Sequence, residues 1–212
     1  GLPAYEGTHL LDLLIATVVG VVVALLLAAV RFAATRVSGL QHMRFGMGVL
    51  LVAGGLAVGL LAQLAVQLGA DAQLVLFSGQ TAVPELVGET STTIVVVLLV
   101  AKGLGYAVSL GCGFRGGPVF PAIFLGVAIA MLAVLWFDTS PTLAVAVGTA
   151  AGMAAATRLL FASLLFAALL AGSQGVDTMP AAVLAAVAAW TTTTALTRRS
   201  SRAEEEADPD TA

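Results

Sequence analysis

The residues best equipped for chemistry in this chain lie in one stretch, and there the backbone matters more than the side chains. From Gly111 to Gly126 the sequence reads GCGFRGGPVFPAIFLG, with Gly111, Gly113, Gly116 and Gly117 ahead of Pro118 and Pro121. Glycine lets the main chain approach an object closely, and the fixed φ of proline suits the first turn of a helix. The pattern predicts a loop that feeds a helix N-terminus at Pro118. The first N–H groups of such a helix have no intrahelical partner, and the aligned peptide dipoles place about half a positive charge there. The chemistry on offer is the binding of a small anion by neutral backbone donors. The free N–H groups of Val119 and Phe120 are the donors, with Gly116 and Gly117 allowing close approach. Arg115, nearby in sequence, either attracts anions into a vestibule or marks an interface. A plain helix start with no ligand is the competing reading.

Other chemistries are poorly supplied. His9 and His42 sit at opposite ends of one apolar run, and neither has a cysteine, carboxylate or second histidine at metal-ligand spacing. Both read as interfacial residues. Cys112 is the single cysteine, so no internal disulfide or cysteine cluster exists. The serines show no nucleophile elbow, and Ser163 has no histidine near it in sequence. Gly111, Gly113 and Gly116 match G-x-G-x-x-G, with Asp138 at a plausible distance for a ribose contact, but the apolar residues from Val119 to Phe137 run through where a dinucleotide fold needs a new strand. No enzyme activity, metal, cofactor or nucleic-acid partner is expected.

The elements that must position the glycine-rich stretch belong to a membrane protein. Of 212 residues, 59% are hydrophobic and 10% charged, against about a quarter charged in soluble domains. The formal charge of -3 misleads, because Glu204, Glu205, Glu206, Asp208 and Asp210 crowd the end of the chain. Leu10 to Val30 is long enough to span hydrocarbon as a helix. A basic loop with Arg31, Arg36, His42 and Arg44 follows, which predicts a cytoplasmic face. Phe45 to Leu68 forms a second span, whose Gly46, Gly48, Gly54, Gly55 and Gly59 read as close helix packing. From Gly69 to Ser91 the chain is polar, irregular and free of Lys and Arg, which predicts the external side. Leu74 to Phe77, with the break Ser78 to Gln80, forms either a re-entrant segment or an ordinary loop.

Thr92 to Leu110 is the next span. Its Lys102 marks an interface or a functional position, because an ammonium in hydrocarbon costs roughly 2.5–3.5 kcal/mol, and the interface is the favoured reading. Behind the glycine-rich stretch, Val119 to Phe137 forms a further span. Pro141 to Ala156 and Leu159 to Ala171 are shorter, broken at Thr157 and Arg158. Abutting short helices of this kind place helix ends at membrane depth in transporters. Met179 to Leu196 is the last span, with Thr191 to Thr194 expected to bond to their own helix backbone. Arg198, Arg199 and Arg202 then place the C-terminus in the cytoplasm. Residues 1–197 read as one membrane domain and 198–212 as a charged, disordered cytoplasmic tail. The start at Gly1, without Met or a signal-peptide pattern, reads as a cut from something longer.

The segment GGPVFPAIFLG, Gly116 to Gly126, resembles the GxFxP signature of the CLC family of chloride channels and chloride/proton antiporters. The order of elements, one long helix, a basic loop, a glycine-rich helix, an irregular segment, a long helix, the motif helix and a broken series, resembles the second inverted repeat of that family up to Leu196. The resemblance implies an all-α integral membrane fold, an inverted-repeat bundle of tilted, partly broken helices, of which this chain supplies the second repeat only. It implies movement of chloride or a similar anion by a channel or antiporter in the plasma membrane. Gly117 matches the motif glycine and Pro121 the motif proline, with Val119 where the family has phenylalanine and Phe120 at the second variable position. Pro118 occupies the first variable position and has no N–H to give. The family's C-terminal tyrosine has no counterpart, since no tyrosine follows Tyr106, and no G-[KR]-E-G-P stretch is present. The resemblance therefore implies a missing N-terminal half, and a homodimer joined through Leu159 to Ala171 and Met179 to Leu196. Two other readings stand beside it: a different inverted-repeat transporter using Gln174 and Asp177, and a non-transporting structural membrane subunit.

Overall fold

A computed structural model describes residues 9–39, 47–77, 79 and 82–207, together with Leu2, Tyr5 and Gly7. His42, Arg44, Phe45, Gly46, Ser78, Gln80, Asp208 and Asp210, all named above, lie outside the described residues, as does the side chain of Gln174.

Helices account for the described architecture: α1 (Leu10–Ser38), α2 (Met47–Gln67), α3 (Ala72–Leu76), α4 (Val83–Gly88), α5 (Thr92–Gly111), α6 (Val119–Phe137), α7 (Pro141–Thr157), α8 (Leu160–Ala171) and α9 (Met179–Ala207). A 3-10 turn, Gly172–Thr178, joins α8 to α9. Among the described residues, α1, α2, α5, α6 and the stretch Gly175–Ser200 are long and apolar enough to cross a membrane, while α7 and α8 are shorter.

At the centre lies the hairpin of α6 and α7, buried from Pro121 to Ala133 and from Thr142 to Ala155. Both are apolar on all sides, as a helix enclosed by others should be. Their contact is backbone on backbone. A Cβ at Gly126 would fall on the carbonyl of Gly148, and one at Gly152 on the carbonyl of Ala122. Small residues thus set the approach, the usual device where lipid offers helices no hydrophobic drive to associate. Asp138, in the left-handed conformation at φ 54°, ends α6, and Ser140 caps α7 by accepting from the Thr142 N–H at 3.3 Å.

The flanking helices α1, α5 and α9 pack around this hairpin. α1 starts at a capping box in which Asp12 accepts from the His9 N–H at 3.0 Å, so His9 is a helix cap. α1 also runs past Val30, and Arg31 and Arg36 are helical rather than part of a loop. Two effects extend it: the Arg36 guanidinium stacks 4.5 Å above the Phe32 ring one turn back, and a cation in the last turn suits the helix dipole. α2 lies outermost. Of its glycines only Gly54 is a close-packing point, since a Cβ there would meet Cys112 Sγ at 2.6 Å, whereas Gly48 and Gly59 have nothing within 4 Å.

Ala72–Leu76 and Val83–Gly88 form two short helices folded into the protein, with Leu74, Val75, Val83 and Leu86 buried. Asp71 starts α3 by accepting from the Gln73 N–H at 2.8 Å. At the break, Gly79 holds φ 94° and faces Phe124 so closely that a Cβ added there would lie 3.0 Å from the Phe124 Cβ. Further on, α9 continues past Leu196 through Arg198 to Ala207; Ala203, Glu204, Glu205, Glu206 and Ala207 are all good helix formers. Thr191 and Thr194 do bond to their own backbone, at 2.8 Å to Val187 and Trp190, whereas the hydroxyl of Thr193 is buried without a partner.

Candidate functional site

The site is built where α5 hands over to α6. α5 ends at Gly111, which stands against Val37 and the carbonyl of Ala34 where a Cβ could not fit. Gly113 then takes φ 87°, and the N–H groups of Gly113 and Phe114 bond back to Leu110 (3.2 Å) and Ser109 (3.0 Å). This closes α5 in the manner of a left-handed glycine cap. Residues 113–118 are exposed, and the chain becomes buried again from Pro121.

α6 begins at Val119, with Pro118 as N-cap rather than inside the first turn, and Pro118 supplies no side-chain cap. The first intrahelical bond runs from the Ala122 N–H to the Pro118 carbonyl at 3.3 Å. Since Pro121 has no N–H, the first turn offers two backbone donors, Val119 and Phe120, and neither has a partner among the described residues. Both residues are half-buried.

Ahead of this turn lies a cavity of about 200 Å³, whose wall includes Lys102, Tyr106, Ser109, Arg115, Gly116 and Gly117. Pro121 also lines it, whereas Val119 and Phe120 are not among its lining residues. Among the described residues, two cations line this space and no carboxylate does. Gly116 and Gly117 have open space where a Cβ would be, so their surface toward the cavity is bare backbone.

Lys102 is held inside the protein rather than turned outward. It is 3% exposed, and its ammonium donates to the carbonyls of Leu74 (2.7 Å), Val75 (3.2 Å) and Phe77. These are the unpaired carbonyls at the end of α3, so Lys102 serves as the cap that this short helix lacks in its own sequence. The Phe124 ring lies 5.0 Å away as a further partner.

Arg31, which in sequence only marked topology, makes a long-range contact that the motif did not reveal. Its guanidinium donates to the carbonyls of Ala155 and Ala156, each at 2.9 Å. Arg31 thus supplies donors to two carbonyls in the last turn of α7. The only local signal was its place four residues after Leu27 and three before Ala34, both buried on α1.

Other named residues fall elsewhere. Asp177 is exposed in the 3-10 turn after α8. Arg158 caps α7 at φ 61° and donates to the Thr197 hydroxyl at 2.6 Å. Among the described residues no group of His, Cys, Asp and Glu is arranged to hold a metal.

The family model described as voltage gated chloride channel matches residues 2–193. No curated protein and no solved structure matches the chain. The matched span takes in all of α1 to α8 and about half of α9, including the Gly116–Pro121 motif and the cavity before it. The chain therefore belongs to the voltage gated chloride channel family.

Proposed function

We propose that the chain carries chloride or a similar small anion across the plasma membrane, as part of a CLC-type channel or chloride/proton antiporter, with the N–H groups of Val119 and Phe120 as anion donors. Family membership and the apolar helices support anion transport within a membrane. One observation carries the finer assignment: two backbone donors without partners among the described residues begin a buried helix, next to a cavity whose described lining holds two cations and no carboxylate. Neutral N–H dipoles in low dielectric attract an anion strongly, yet without the full charge that would trap it.

The exposed face of residues 113–118 fits completion of the site by an N-terminal half, as in the full inverted repeat. A homodimer is proposed through α8 and α9, whose Phe161, Leu165 and Leu169 are 83%, 61% and 73% exposed; membrane lipid covers the apolar faces left over. Exposed Arg198, Arg199 and Arg202 support a cytoplasmic C-terminus. The test is anion efflux from liposomes holding the intact protein. Chloride efflux that falls when Gly116 and Gly117 are both replaced by valine supports the assignment. Unchanged rate and selectivity in that variant overturn it.

A further inference from the structure

Hydroxyls on the helices of this protein habitually bond backward. Thr17, Thr157, Ser163, Thr191 and Thr194 each donate to the carbonyl four residues before them, at 2.7–2.8 Å. Ser109, on α5, does not, and neither its hydroxyl nor that of Tyr106 has a partner among the described residues. Both are half-buried, and both line the cavity ahead of Gly116. Three residues apart, they share one face of α5, and that face also carries Lys102.

The rest of the wall determines what such hydroxyls can serve. Lys102 commits its three hydrogens to the carbonyls of Leu74, Val75 and Phe77, so it lends charge to the cavity but no donor. Arg115 is exposed and adds a second positive charge. Among the described residues no carboxylate lines the space, so a cation is disfavoured and an anion is not. A volume of about 200 Å³ exceeds one halide and leaves room for several waters at about 30 Å³ each.

We propose that this cavity is a binding site for a partly hydrated monovalent anion, with the Tyr106 and Ser109 hydroxyls as its side-chain donors and Lys102 as a fixed source of field. It rests on the anion-transport reading but uses different atoms from the α6 backbone donors. Neutral hydroxyls hold the ion by direction, the buried ammonium attracts it from a distance, and neither forms a contact too strong to leave.

The test uses chloride as probe, with the intact protein and its Tyr106→Phe, Ser109→Ala and double variants, and Leu104→Ala on the far face of α5 as control. Loss of one hydrogen bond to an ion raises the dissociation constant about tenfold. Each single variant should therefore raise half-saturating chloride by about that factor and shift the chloride-to-nitrate ratio. Thermal unfolding without halide and the Leu104→Ala variant should stay at wild-type values. A double variant that keeps wild-type half-saturation and selectivity in a transporting protein overturns the cavity site and leaves the transport reading intact. A wild-type protein that carries no anion overturns the transport reading, and the cavity then stands only if chloride raises the unfolding temperature of wild type but not of the double variant.

Discussion

The ammonium of Lys102 lies 2.7 Å from the carbonyl oxygen of Leu74, and this contact joins a spanning helix to the end of a helix only five residues long. Its consequence is mechanical as well as electrostatic. α3 is too short to be stable alone, so its end stays where Lys102 holds it, and that end forms one wall of the cavity.

Replacing Lys102 by Met should destabilise the fold by about 2 kcal/mol. Each carbonyl left without a donor costs roughly 1–3 kcal/mol, and losing a buried charge offsets part of that. Lys102→Arg should recover only part, because a planar guanidinium does not fit three converging carbonyls as an ammonium does. Thermal unfolding in detergent measures both, and a Met variant as stable as wild type would remove the capping role.

Arg31→Gln should affect anion binding more than stability. The guanidinium is exposed, so its two bonds to α7 contribute about 1 kcal/mol or less once screening is counted. Its absence leaves the negative end of α7 uncompensated, which weakens chloride binding. That deficit should shrink as ionic strength is raised with a large impermeant anion. Chloride titration at two ionic strengths checks the expectation, and a deficit independent of ionic strength contradicts it.

Pro118→Ala should tighten chloride binding about three- to tenfold, the effect of one added donor to an ion. The backbone at residue 118 has φ -77° and ψ -13°, which alanine adopts freely, so the added N–H appears without rearrangement. Removing a proline from a compatible site should at the same time lower stability by about 0.4–1 kcal/mol. Calorimetric titration reads the first effect and thermal melting the second. Unchanged affinity would mean that position 118 does not face the anion.

Two glycines of the motif segment should respond in opposite ways. Gly126→Ala drives a methyl into the Gly148 carbonyl, with no flexible side chain to give way, and should cost about 3 kcal/mol or more as overpacking. Gly117→Ala meets nothing within 4 Å and should leave stability unchanged while slowing chloride flux. Expression and melting temperature separate the first from the second, and a stable, well-packed Gly126→Ala variant would contradict the backbone contact described here.

Much of the helical frame was legible in the sequence. α6 runs from Val119 to Phe137 because uninterrupted apolar residues follow Pro118 and stop at Asp138, and α7 begins at Pro141 for the same local reasons. The unpaired donors of Val119 and Phe120 also follow from sequence, because helix ends and prolines obey local rules. The extension of α1 through Arg31 and Arg36 was less legible, since charges resemble a loop until Phe32 and Ala34 are counted as helix formers with a buried face. α9 past Leu196 was missed likewise, because hydropathy measures fitness for lipid and not for helix.

What the sequence by itself determined is the set of spans, the motif and the position of the α6 start. What only the tertiary structure decided is the use of the charges. Lys102 reaches carbonyls 25 to 28 residues back along the chain, and Arg31 reaches carbonyls 124 and 125 residues ahead. A helical period relates residues one turn apart, so it shows which residues are buried. It holds no information about which distant helix end lacks a donor, and in this protein such a lack determines where each cation goes.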